Sequence, residues 1–199
     1  MITIIDYGMG NLRSAQKACE YVGLTTQISG DKKDIENADA LILPGVGAFG
    51  DAMTNLNNMG LTQTIINRAK SGLPFLGICI GMQLLFDKSY EYGETAGLGL
   101  IGGEVTEFQL DGLKIPHMGW NNLEAKQSPL FDAGNNQFVY FVHSYYANKV
   151  AEEDIIASST YGITFPSAVQ HSNIFGLQFH PEKSGDVGLN ILRNFGKLI

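Results

Sequence analysis

Cys79 lies within Pro74-Phe75-Leu76-Gly77-Ile78-Cys79-Ile80-Gly81-Met82-Gln83, an apolar run with a glycine two residues to either side of the cysteine. Such a run reads as a buried strand turning sharply into a helix with a nucleophile at the bend, sulfur standing where hydrolases place a serine hydroxyl. Glycines at these positions permit a strained turn and a close backbone approach that leaves no room for a Cβ. Much later the chain reads Gln178-Phe179-His180-Pro181-Glu182-Lys183-Ser184. If His180 and Glu182 are extended, their side chains share a face. The carboxylate then accepts from one ring nitrogen while the other turns to the sulfur. Pro181 stiffens the turn between them. Together Cys79, His180 and Glu182 read as a candidate Cys–His–Glu triad.

The other cysteine, Cys19, falls at helical spacing with Leu12, Ala15 and Val22 and reads as core. Two cysteines so far apart, in a sequence that does not read as opening on a secretory signal, do not suggest a disulfide framework. The four histidines, His117, His143, His171 and His180, show no metal-ligand spacing, so neither a metal nor a cofactor is expected. Gly45-Val46-Gly47-Ala48-Phe49-Gly50 matches a dinucleotide-binding fingerprint. It follows the third predicted strand, however, is preceded by Pro44, and lacks an acidic residue about 20 positions on to hold a ribose. A better use for this segment is to offer the Val46 N–H to a developing oxyanion, with the Ile80 N–H, next after the nucleophile, as second donor. Flanked by two glycines, the Val46 peptide rotates cheaply, so a resting state with its N–H turned away is expected.

These residues need a scaffold. A chain of 199 residues suffices for one domain with a full hydrophobic core. A net charge of −7 argues against nucleic acid as a partner, and no apolar run approaches a membrane span. The N-terminus reads as a strand rather than a targeting segment, so a reducing, cytoplasmic setting that suits a catalytic thiolate is expected. Ile2–Ile5, Thr25–Ser29, Ala40–Leu43 and Phe75–Ile78 read as strands. Helical spacing runs from Asn11 to Tyr21, from Leu61 to Lys70 and from the Cys79 turn through Leu85. Their alternation predicts an α/β fold with a mostly parallel sheet. After the glycine-rich stretch Gly97–Gly103 the composition shifts to Gln137–Val142, Ile155–Ser159, Ala168–Gln170 and Ile174–Phe179, a mixed or antiparallel extension. A helix from Gly188 to Ile199 closes a single domain over residues 1–199. In such open sheets chemistry lies at the carboxyl ends of strands, where Cys79 falls.

The pairing of Gly-x-Cys-x-Gly with His-Pro-Glu resembles the class I, triad-type glutamine amidotransferases, which hydrolyse glutamine and pass ammonia to a synthase. Further stretches narrow the resemblance to the glutaminase subunits of imidazole glycerol phosphate synthases. They are Asp6-Tyr7-Gly8-Met9-Gly10-Asn11-Leu12, Leu43-Pro44-Gly45-Val46-Gly47, Ile115-Pro116-His117-Met118-Gly119-Trp120-Asn121, Tyr140-Phe141-Val142-His143-Ser144-Tyr145 and His180-Pro181-Glu182-Lys183-Ser184. The related glutaminase of pyridoxal phosphate synthase carries a Gly-Gly-Glu-Ser loop that is absent here. One departure is Gly102, where proline is common in the family. On the residues alone, a glutaminase serving another synthase, a stand-alone cysteine hydrolase of the same fold and an inactive scaffold stay open.

The resemblance implies a doubly wound, flavodoxin-like sheet with helices on both faces, Cys79 as nucleophile, His180 as base and Glu182 as orienter. It implies that Gln83, one helical turn past Cys79, holds the main-chain groups of the substrate glutamine, with Gly47, His143, Ser144 and Tyr145 completing the pocket. It also implies a partner, a cyclase subunit built as a (β/α)8 barrel. That partner uses the ammonia to make imidazole glycerol phosphate and aminoimidazole carboxamide ribonucleotide in histidine biosynthesis. A barrel of about 250 residues does not fit within this chain, so the cyclase is expected to be separate. Asn11, Trp120, Tyr140 and Lys183 are the candidate contacts to it.

Overall fold

Short β-branched and leucine-rich runs build the parallel half of the central sheet. The computed structural model describes residues 1–199, apart from the side chains of 134–136. It places β1 at Ile2–Ile5, α1 at Leu12–Tyr21, β2 at Thr26–Ser29, α2 at Lys32–Glu36 and β3 at Ala40–Gly45. Next come α3 (Phe49–Asn58), α4 (Thr62–Lys70), β4 (Phe75–Cys79) and α5 (Ile80–Gln83). The second half contains β5 (Lys88–Ser89), β6 (Thr95–Ala96), β7 (Glu104–Glu107), β8 (His117–Ala125), β9 (Gly134–His143) and β10 (Tyr145–Asn148). It ends with β11 (Ile155–Tyr161), β12 (Ile163–His171), β13 (Ile174–Leu177) and α6 (Gly185–Gly196).

Nine strands form one sheet in the order β2-β1-β3-β4-β13-β12-β11-β8-β9. The first five are mutually parallel, and the pairs from β13 through β9 are antiparallel. Strands β1, β3, β4 and β13 are buried along their whole length, as expected where both faces of a parallel sheet are covered. Two helix groups pack around it, α1 with α6, and α2 and α3 with α4. On α1 the inward stripe is Ala15, Ala18 and Cys19, and on α6 it is Gly188, Ile191, Leu192 and Phe195. The mixed α/β architecture and the antiparallel extension agree with the expectation from sequence.

Four features differ from it. Strand β3 does not stop before Pro44 but runs on to Gly45. Its pairing with β1 ends at Ile42, so Pro44 forfeits no ladder bond by lacking an N–H. The helix after Cys79 ends at Gln83, because Leu85 N and Phe86 N bond back three residues to Met82 O and Gln83 O and tighten the chain into turns. A separate four-stranded sheet, β10-β7-β5-β6, stands beside the main one. Two of its strands are only two residues long and carry no readable periodicity. Helices α2 and α3 and strand β8 also went unread in the sequence.

Candidate active site

At the carboxyl end of β4 the backbone reverses through Cys79, which is held at φ 55°, ψ −111° as the N-cap of α5. A non-glycine residue at positive φ is uncommon and signals a turn imposed by its surroundings. The flanking glycines explain how it forms. A Cβ on Gly77 would lie 2.5 Å from Gly81 O, and one on Gly81 only 1.7 Å from Leu43 O. Helix α5 therefore lies directly on β3 and β4, and the sulfur projects from the bend into a cavity of about 430 Å³, within the usual range of small-molecule sites. Ile80 opens α5, and the first N–H groups of a helix have no partner within it.

His180 follows β13 in extended conformation, at φ −98°, ψ 99°. Glu182 is not extended with it: Pro181–Lys183 form a 3₁₀ turn, which corrects the expectation of a shared strand face. With proline at its first position the turn curls the carboxylate back, so that His180 Nδ1 and Glu182 Oε1 are 2.8 Å apart with both side chains buried. The backbone around them is pinned. His180 N donates to Tyr140 O, and Ser184 Oγ donates to His180 O while accepting from Tyr140 N. Gly188 of α6 lies so close to Pro181 that a Cβ there would meet its carbonyl at 2.0 Å.

Burial disfavours a charged imidazole at His180, but the neighbouring Cys79 sulfur and the Glu182 carboxylate outweigh it and raise its pKa to about 10. Its Nε2 is buried and makes no hydrogen bond of ordinary geometry, so the sulfur acts on it through proximity and charge. Around the sulfur stand Val142 O and Gln178 Nε2, each at 4.0 Å. The thiolate is the reactive form of a cysteine nucleophile, and His180, held by the Glu182 carboxylate, is the group placed to take the thiol proton.

The cavity wall contains Val46, Gly47, Cys79, Ile80, Gln83, His143, Ser144, Tyr145 and His180. Every residue expected at the oxyanion and glutamine positions thus reaches one space. Gln83 is not a solvated helix residue but 1 % exposed. Its Nε2 donates to Tyr145 O and to Gln178 Oε1, leaving Oε1 unpartnered. Glu91 and Glu107 also line the cavity and went unread in the sequence. Glu91 Oε2 accepts from Phe49 N at 2.6 Å, and burial raises its pKa despite that bond. Gln178, two residues before His180, was visible only as a neighbour in the motif.

None of the four candidate contact residues lines that cavity. Asn11 borders a small space shared with Val46, His180 and Glu182. Trp120, 57 % exposed, meets Tyr140 edge-on at 6.2 Å. Lys183 Nζ stands 5.8 Å from the Tyr140 ring centre, at cation–π range. With Met118 and Phe138, both exposed on β8 and β9, Trp120 and Tyr140 give an apolar patch that Lys183 rims with positive charge. Among the described residues no cluster of three His, Cys, Asp or Glu is placed to hold a metal, and no helix is long and apolar enough to cross a membrane.

Comparison with known proteins places this geometry. Residues 3–198 match the sequence model of glutamine amidotransferase class-I. The imidazole glycerol phosphate synthase subunit HisH of Caldanaerobacter subterraneus subsp. tengcongensis is 52% identical over 201 residues, covering 100% of this chain and 98% of that protein. The HisH subunit of Methanosarcina barkeri is 53% identical over 198 residues, covering 98% and 96%. Among solved structures, a glutamine amidotransferase crystal structure superposes with TM-score 0.79 at 22% identity, over 100% of this chain and 98% of that one, a likeness of fold.

Proposed function

The chain belongs to the class-I glutamine amidotransferases, and we propose that it is the glutaminase subunit of an imidazole glycerol phosphate synthase, acting as one domain over residues 1–199. One observation carries the chemistry. A cysteine at a forced strand-to-helix bend shares a cavity with a buried histidine whose second nitrogen is held by a buried carboxylate.

The Cys79 sulfur attacks the side-chain amide carbon of glutamine, forming a C–S bond, and the carbonyl oxygen takes up negative charge. The Ile80 N–H and the Val46 N–H are the donors proposed for that oxygen. As the C–N bond breaks, the proton on His180 Nε2 passes to the departing nitrogen, which leaves as ammonia. Water then attacks the γ-glutamyl thioester. His180 accepts the water's proton, glutamate departs and the sulfur is restored. Glu182 fixes the imidazole in place and stabilises its charge through Nδ1. Gln83, whose Oε1 is a buried acceptor without a partner, and the Gly47, His143, Ser144 and Tyr145 segments hold the main-chain end of the substrate.

The ammonia is consumed by a separate cyclase subunit of (β/α)8-barrel form, which docks on the patch around Trp120, Tyr140, Lys183 and Asn11. Support for that surface comes from its exposed aromatics and from the backbone bond between Tyr140 and His180, which joins the patch to the triad. The test is glutamine hydrolysis by the chain, alone and with a cognate cyclase and its nucleotide ligand. Glutamate release that rises when both are present is expected. A rate indifferent to them would indicate a stand-alone hydrolase, and no rate under any condition an inactive scaffold.

A further inference from the structure

His117 opens β8 and His143 closes β9, and the two are direct cross-strand partners. Both are buried among Phe108, Phe141 and Phe165. Their hydrogen bonds admit one arrangement of protons. His143 Nδ1 lies 2.8 Å from Tyr145 O, and a carbonyl can only accept, so Nδ1 carries the proton. Burial keeps His143 neutral, which leaves Nε2 as an acceptor. At 2.9 Å from that atom, His117 Nδ1 must then be the donor, and its own Nε2 accepts from Asn121 Nδ2 at 3.3 Å. The second proton of the Asn121 amide goes to Thr160 O.

We propose that Asn121, His117 and His143 form a one-way hydrogen-bond chain that positions the Gln83 amide for substrate, His117 and His143 being locked as neutral Nδ1–H tautomers. The chain ends on Tyr145 O, which also accepts from Gln83 Nε2 at 3.0 Å. Gln178 Oε1 holds the same Nε2 at 3.0 Å. With its nitrogen doubly engaged, the Gln83 amide cannot flip, and its Oε1 is left a buried acceptor without a partner beside the cavity that Gln83 lines. Aligned donors also polarise one another, stiffening the Ser144–Tyr145 wall. His117 is thus a positioning residue that touches no substrate and acts through His143 and Tyr145. The ligand is glutamine on the function proposed above, on which the kinetic part of the inference rests.

The experiment has a spectroscopic arm and a kinetic arm. Long-range ¹H–¹⁵N correlation spectra of the full chain at neutral pH read which nitrogen of each imidazole bears the proton. Both His117 and His143 are expected neutral with the proton on Nδ1. A proton on His143 Nε2, or a cationic ring at either position, overturns the chain. For kinetics, His117→Leu and His117→Asn are compared in complex with the cognate cyclase. Leucine removes the donor and leaves His143 Nε2 unpaired, and a buried acceptor stranded in this way is costly. The expected result is a glutamine KM raised about tenfold with kcat within about threefold. Asparagine places an N–H near the old Nδ1 position, and KM should return to within about threefold of wild type. A leucine variant with unchanged KM, or an asparagine variant no better than leucine, overturns the positioning role. A wild-type complex that does not hydrolyse glutamine instead defeats the amidotransferase assignment, and the spectrum still decides the hydrogen-bond chain. The spectrum also decides if the leucine variant does not fold.

Discussion

Replacing Gly81 by alanine perturbs the active site without touching a reacting group. The new Cβ would lie 1.7 Å from Leu43 O and 2.8 Å from Leu43 C. An unstrained C···O contact is about 3.3 Å, so the gap must open by about 1.5 Å. Leu43 cannot yield easily, because it belongs to β3 and pairs with Gly77 of β4 in the middle of the sheet. The displaced element is therefore α5, and with it the Ile80 N–H and the bend at Cys79. Misplacing reacting groups by 1 Å costs about 10²-fold in rate, and overpacking costs about 1–3 kcal/mol of stability. For a chain of this size the loss corresponds to a Tm lower by about 2–12 °C. The assay is glutamine-dependent against ammonia-dependent synthesis by the complex, with Tm measured on the same samples. Glutamine-dependent synthesis should fall about 100-fold while the ammonia-dependent rate holds. Gly102→Ala is the matched control. Its Cβ meets nothing within 4 Å and its φ is not positive, so it should leave activity intact and change stability by no more than about 1 kcal/mol, upward. Glutamine-dependent activity of Gly81→Ala within about threefold of wild type would refute the claim that close packing sets the bend.

Cys79→Ala should abolish glutamine-dependent synthesis and leave ammonia-dependent cyclisation by the complex intact; a similar loss of both contradicts separate sites. Glu182→Gln should reveal the charge on His180. A pKa raised from 6.5 to about 10 contributes stability that is complete below pH 6.5, declines as pH rises towards about 10 and is gone above it. The urea stability gap between wild type and variant should therefore be larger at about pH 6 than at about pH 10.5; an equal gap excludes the coupling. Lys183→Ala should lower imidazole product formed per glutamate released, with the fold unchanged. An unaltered ratio and unaltered affinity for the cyclase would make Lys183 an ordinary surface charge.

What the sequence made legible follows from how locally each feature is encoded. Cys79 and its two glycines form one continuous stretch, because a strained bend must carry its own small residues. His180 and Glu182 are neighbours for a similar reason, although the 3₁₀ turn that joins them was not readable from a spacing of two. Four of the parallel strands, β1, β3, β4 and β13, announced themselves as short runs rich in Ile, Leu and Phe. Features built by register did not. The His117–His143 pair exists only because β8 and β9 align those positions, and Gln178 reaches Gln83 only through the adjacency of β13 and β4. Glu91 arrives in the cavity on the turn between β5 and β6, two strands too short to show alternation. His117–Ala125 mixes Trp, Leu and Met with Asn and Glu, because one face meets the core and the other presents the exposed patch.

The measurement closest to the central claim is capture of the covalent intermediate. The complex of His180→Asn with its cyclase would be mixed with glutamine, quenched in acid and mapped by peptide mass spectrometry. Without the imidazole to draw a proton from water, hydrolysis of the thioester should slow more than its formation, because a cysteine sulfur is intrinsically a far stronger nucleophile than water. A γ-glutamyl group on the peptide containing Cys79 is expected, with none on Cys19, which is buried in the core with its pKa pushed up to about 12 by burial. Glutamate accumulating with wild type while no adduct forms on Cys79 under any quench condition would contradict nucleophilic catalysis by this cysteine.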